Sequence, residues 1–462
     1  MAGAAVTRNV DESRLPVLTG AYSYASISDK ISDIVLVRPS HWGFYVAFAL
    51  CTALTLLFAG AIAYLFYEGV GIWGIDIPVA WAFAITNFVW WVGIGHAGTF
   101  ISAFLLLLRQ KWRTSVNRFA EAMTIFAVAM AGLMPILHLG RPWFFYWLVP
   151  YPDIMNVWPQ WRSPLVWDIF AIGTYIIVSI VFWYMGLIPD LATLRDRAEH
   201  RGKQIVYGIF ALGWRGEARQ WHRFETAYLL MGGLATPLVI SVHTVVSLDF
   251  SFGLVPGWHS TIFPPYFVDG ALYSGFAMAL VLAVPMRKVF RLEDFITRDH
   301  LAKMGTLMLV TGLIVAYSYM VEAFNAYYST DLYEIAMMRN RYFGPYAPIS
   351  WSVILCNVLI PQALWSKRLR RNPLALFVLG LVVLLGMWLE RFMIIVASLE
   401  RDFLPSAWHM FYPTFWDLAT LAGSLGAFAF LFLMFLRFLP AISMSELRKD
   451  VRQETIRAGT HT

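Results

Sequence analysis

Ten apolar runs, each about as long as a bilayer's hydrocarbon core is thick, constrain this chain more than any other feature. A helix needs about 20 predominantly apolar residues to cross that core. Such runs occupy 43–67, 79–108, 117–139, 165–188, 223–247, 267–286, 301–324, 348–366, 374–397 and 412–437. Only 14% of the 462 residues are charged, against roughly a quarter in soluble domains. The length is therefore spent on membrane passes, and the expected fold is an all-α polytopic membrane protein with ten transmembrane helices. Residues 1–42 carry Arg8, Asp11, Glu12, Arg14, Asp29, Lys30, Asp33 and Arg38 and no apolar run. They read as an N-terminal arm, with the first run a retained span and no secretory signal.

An even number of spans puts both termini on one side, and the basic residues choose it. With the termini inside, inner segments hold 29 of the 35 Lys and Arg residues and outer loops hold 5, while Arg391 lies within a span. That asymmetry is the positive-inside pattern, so the arm and the tail (438–462) are expected in the cytoplasm. The net charge of +6 is thus a topology signal, and nucleic acid is not an expected partner. Cys51 and Cys356 lie alone in separate spans. They cannot supply the four or so thiolates of an iron–sulfur cluster, and no CxxCH haem attachment motif is present. No metal or haem is expected in this chain.

An internal echo organises the spans. "VVSLDFSFGLVPGWH" (245–259) follows the fifth run and "VASLERDFLPSAWH" (396–409) follows the ninth. Both read Ser-Leu, an acid, then Pro-x-x-Trp-His or a near variant. A duplication is expected, with four-helix bundles at 79–247 and 267–397 and flanking helices at 43–67 and 412–437. Three outer loops are long, aromatic and poor in charge, as loops that dock something tend to be. The stretch "HLGRPWFFYWLVPYPDIMNVWPQWRSPLVWD" (138–168) holds nine aromatic residues and five prolines. The inner 189–223 segment is basic and is expected to hold a short interfacial helix.

Ionisable residues within spans are costly and are candidates for function. His138 closes the third span, Asp168 opens the fourth, and His243 and Asp249 end the fifth. Alternating span direction places all four near one interface of the first bundle. Ordinary roles are open to each: a helix cap for Asp168, a carbonyl-bonded imidazole for the histidines, a solvated acid for Asp249. His96, Glu322, Glu390 and Arg391 lie deeper. Glu390 and Arg391 are adjacent, hence about 100° apart around a helix, and each is expected to find its partner on another span. A histidine and a carboxylate at the mouth of an apolar bundle suit a hydroquinone. Its head needs hydrogen bonds and proton acceptors, its tail a greasy slot, its ring aromatic walls.

"HLGRPWFFYW" with "SPLVWD", and "GWHSTIFPPYFVDGA" (257–271), resemble the polysulfide-reductase NrfD-like family. The likeness covers nearly all of residues 40–440 and is greatest to the C-type NrfD-like subunit of bacterial alternative complex III. That resemblance implies a subunit of the bacterial inner membrane that oxidises menaquinol near the periplasmic face. It implies catalytic roles for His138 and Asp168, with Asp249 and Arg141 completing the quinol site. A proton route is implied in such subunits, matched here by His96, His243, Glu322, Glu390 and Arg391. The implied partners are an extrinsic iron–sulfur subunit, multihaem c-type cytochrome subunits and a second NrfD-like subunit. Two other readings stay open on the residues alone. A secondary transporter also has repeats and mid-membrane charges, and a haem b anchor would use His138 and His243.

Overall fold

A computed structural model describes residues 18, 22–37, 42–148, 161–401 and 404–459. Most of the aromatic connector, 149–160, lies outside the described residues. Every regular element among them is helical, and ten helices are long and apolar enough to cross a membrane: Trp42–Glu68, Phe83–Leu107, Asn117–His138, Pro164–Arg197, Ala218–Ser251, Phe263–Val289, Arg298–Tyr328, Ala347–Trp365, Pro373–Leu399 and Phe415–Phe438. The protein is a multi-pass membrane protein. The fourth, fifth and seventh spans outrun their apolar runs by a turn or more. Their extra turns are polar and stand beyond the apolar layer, so hydropathy alone does not include them.

The second to fifth spans pack as one four-helix bundle and the sixth to ninth as another, joined where the second and fifth spans meet the sixth and the second meets the ninth. The first and tenth spans pair with each other and lean on the third. Small residues set these distances. A Cβ on Gly275 would overlap Ala97 of the second span, and one on Gly98 would overlap the Ala120 carbonyl of the third. The close contact trades side-chain volume for backbone approach, as membrane helices commonly do.

Two spans depart from α geometry. The second contains a π turn at Phe100–Phe104, and the eighth passes through a π turn at Leu355–Leu359 into a 3-10 end at Ile360–Trp365. A π turn inserts one residue and shifts the phase of the helix beyond it.

Chain direction defines two ends. The terminal end holds the helix Tyr24–Leu36, the short helix Arg201–Phe210 expected within 189–223, and the helix Met444–Gly459. The distal end holds the 3-10 turn Pro142–Leu148 and the helix Leu332–Phe343. The "GWHSTIFPPYF" motif lies there as well. Gly257 has φ +86, and its N–H donates to both Glu334 oxygens at 3.0 Å. A Cβ would meet Met337 and Arg341, so only glycine fits this turn. Trp258 donates its indole N–H to the Ile394 carbonyl at 2.6 Å, tying the loop to the ninth span.

Candidate functional site

Packing of the fourth span against the fifth brings Asp168 and Asp249 together at the distal end of the first bundle. Asp168 sits in the second turn of its helix, after Ser163 and Pro164 have set the helix start. Asp249 lies in the last turn of the fifth span. Their carboxyl groups are hydrogen-bonding neighbours. An ionised carboxylate only accepts, so that bond requires a proton on one of the two. Asp168 is 6% exposed. One oxygen of each carboxyl is buried with no hydrogen-bond partner among the described residues.

His138 ends the third span on the same side, with its Nδ1 buried and unpartnered. No hydrogen bond joins His138 to either aspartate among the described residues. Arg141 follows the positive-φ Gly140, and its side chain is exposed. The pair that the fold joins is thus Asp168 with Asp249, and His138 stands near as a separate group. Trp167 and Phe252 meet edge to face at 5.9 Å beside the aspartates, and Trp161 lies 6.4 Å from Phe170.

Inward from Asp249 by six residues, about 9 Å along the helix, is the fully buried His243. Its ring lies 4.7 Å from His96 and 6.0 Å from Phe267. Both its nitrogens lack partners. His96 stacks flat on Tyr175 at 4.6 Å and places Nδ1 2.5 Å from the Val92 carbonyl. That contact puts the proton on Nδ1 and leaves Nε2 as an unpartnered acceptor. Below Tyr175, hydroxyls of Thr99, Thr124 and Ser179 continue the polar column, with Tyr175 and Thr124 both donating to the Gly95 carbonyl.

At the terminal end the column reaches a buried ion network that the sequence did not single out. Arg118 pairs with Glu121 at 2.9 Å and with Asp190 at 3.5 Å, and donates to the Gly186 carbonyl at 2.6 Å. Glu121 also accepts from Ser102, carried by the π turn, and from Tyr228 at 3.0 Å. Gly186 makes room for the guanidinium, since a Cβ there would overlap Arg118 Nη1. Arg118 counts as an inner-loop cation when read by position. The available signal was Arg118 and Glu121 at i, i+3 inside an apolar run, with Asp190 just after Pro189.

In the second bundle Glu390 accepts from Tyr319, whose hydroxyl also takes an N–H from Asn357 at 2.8 Å. Arg391 does pair with Glu390, at 3.2 Å, contrary to the expectation of separate partners. The reach of the arginine closes the angular offset. Its guanidinium also lies 4.1 Å from the Phe267 ring, the ring that His243 contacts from the first bundle. Glu322 pairs with Arg341 at 2.7 Å. Arg341 is itself 6% exposed and bonded to Ser398, so a residue that reads as an outer-loop cation is an interior one. Glu322 lines two cavities, one of about 540 Å³ at the distal surface and one of about 40 Å³ that reaches Glu390 and Tyr319. No group of three or more potential metal ligands occurs among the described residues.

A family model described as "Polysulphide reductase, NrfD" matches residues 74–401. The chain is also 26% identical over 270 residues to a Halobacterium salinarum protein, the C-type member of its set, named as a "Putative dimethyl sulfoxide reductase membrane subunit". The match covers 57% of this chain and 55% of that relative. The chain thus spans about half the length of that curated relative. The family match runs from the first bundle through the second and takes in Asp168, Asp249 and both buried ion networks. The chain belongs to the polysulphide reductase NrfD family of multi-pass membrane subunits of redox complexes.

Proposed function

We propose that this chain is the quinol-oxidising membrane subunit of an electron-transfer complex of the alternative complex III type, matching the C-type subunit of such a complex. The observation that carries the reading is the Asp168–Asp249 pair, with unpartnered carboxyl oxygens at the distal mouth of an apolar bundle. A buried polar atom without a partner costs free energy that a ligand hydroxyl recovers. Menaquinol supplies two such hydroxyls, and His138 adds an imidazole on the same side.

Oxidation of a quinol to a quinone releases two protons and two electrons. The aspartate pair takes one proton and His138 the other, with Arg141 steering the head group at the rim. The electrons leave to an extrinsic iron–sulfur subunit and onward to multihaem c-type cytochromes docked over the aromatic distal loops, a second NrfD-like subunit lying alongside. The distal end then faces the periplasm and both termini the cytoplasm of a bacterial inner membrane. His243 and His96 form the inward continuation of the site. Phe267 links them to Arg391 and Glu390, and Glu322 opens that branch to the distal cavity, so the five residues form a candidate proton route.

The test is quinol-dependent cytochrome reduction by the purified complex. Asp168→Asn and His138→Ala are each expected to lower turnover at least about 100-fold, the usual loss on removing a proton acceptor, with the make-up of the complex unchanged. Normal turnover in both variants contradicts the proposal.

A further inference from the structure

A second cavity, far from the aspartate pair, has the chemistry of a lipid site. At the terminal end a groove of about 600 Å³ runs between the fourth span, the end of the tenth span and the helix Arg201–Phe210. Trp183, Leu187, Leu191 and Phe438 make its walls almost wholly apolar. The short helix is held over it by two tyrosines: Tyr207 donates to the Phe438 carbonyl at 3.0 Å, and Tyr184 to the Phe210 carbonyl at 2.7 Å. Ile205, Val206, Ile209 and Phe210 remain more than half exposed, the habit of a helix lying in the headgroup layer.

Two cations line the same groove. Lys203 and Arg437 each donate to a last-turn carbonyl of the helix Tyr24–Leu36, Lys203 to Leu36 at 3.1 Å and Arg437 to Val35 at 3.0 Å. Those carbonyls are left open by the helix end. Neither cation forms an ion pair with a carboxylate among the described residues. An ammonium has three donors and a guanidinium five, so most remain for a ligand. An apolar slot with uncompensated cations at interfacial depth is complementary to one molecule class, a membrane lipid with an anionic head.

We propose that this groove binds one anionic phospholipid, its phosphate on Lys203 and Arg437 and an acyl chain along Leu187 and Leu191. The lipid pins the helix Arg201–Phe210 to the ends of the fourth and tenth spans.

The test is native mass spectrometry of the delipidated complex after re-addition of phosphatidylglycerol or phosphatidylcholine. One phosphatidylglycerol per copy is expected to persist where phosphatidylcholine is lost. Lys203→Gln and Arg437→Gln should each weaken that retention about 5-fold, the effect of one interfacial cation, with Arg437→Lys largely restoring it. Val206→Trp, which fills the groove without touching a charge, should abolish retention of either lipid. Millimolar inorganic phosphate should leave the lipid in place. Equal retention of the two lipids, no retention by the unaltered complex, unchanged retention in Lys203→Gln, Arg437→Gln or Val206→Trp, or displacement by phosphate alone each overturns the proposal.

Discussion

The two ends of the first bundle are built from the same four helices and differ in how their charges are treated. At the terminal end Arg118, Glu121, Asp190, Tyr228 and Ser102 bond to one another. At the distal end Asp168 and Asp249 meet, His138 stands close by, and each keeps a buried polar atom unpartnered. A closed network holds helices in place. An open one is incomplete until something enters, which is the arrangement a ligand site needs and a structural site avoids. Function in this bundle is therefore read from missing partners, since both ends are equally rich in charge.

The largest expected effect falls on the closed end. Arg118→Leu leaves two carboxylates buried without their cation and is expected to cost about 3–5 kcal/mol. Thermal unfolding of the detergent-solubilised protein measures this, and a loss below about 1 kcal/mol would show that the network is not structural.

At the open end the expectation reverses, with small effects on stability and large ones on turnover. Asp168→Asn and Asp249→Asn are each expected to shift unfolding by less than about 1 kcal/mol. In a double-mutant cycle on quinol oxidation they should couple by about 1 kcal/mol or more, because they act as one hydrogen-bonded unit. Additive losses would separate the two residues and leave Asp168 acting alone.

The smallest effect lies at the edge of the closed end, on the helix Met444–Gly459. Burial pushes the Asp450 carboxyl up to about 6, partly offset by the Thr114 hydroxyl that donates to it at 3.0 Å. A raised acid binds its proton more tightly in the folded state. Its contribution to stability is full below the ordinary carboxylate value and is lost as pH rises through about 6. Asp450→Asn should therefore melt above the unaltered protein at pH 7.5, the difference vanishing by pH 4. The opposite order at pH 7.5 would place Asp450 in a stabilising charge interaction.

The ten spans and their grouping are legible in the sequence because membrane crossing demands long apolar runs and connecting loops are short. The shared depth of His138, Asp168 and Asp249 follows from counting spans. Rotation about each helix does not, because a helix apolar all round gives no phase to read. That is why the meeting of Asp168 with Asp249, and the separation of His138 from both, emerge only in three dimensions. The terminal network stays hidden for a related reason. Arg118 and Asp190 sit at span ends, where charges are normally solvated, and the helix Met444–Gly459 closes over them from more than 250 residues away in sequence, its Ser445 N–H donating to Asp190 at 2.9 Å. Arg341 misleads in the same way, as a loop cation that folds inward against Glu322.

The central claim, that quinol binds at the open distal end, is tested most directly by photolabelling. The purified complex is irradiated with an azido-menaquinone, and the label is mapped by peptide mass spectrometry. The account predicts labelling within 138–148, 161–172 or 245–252, abolished by excess menaquinol. Label confined to the second bundle or to the terminal end would contradict it.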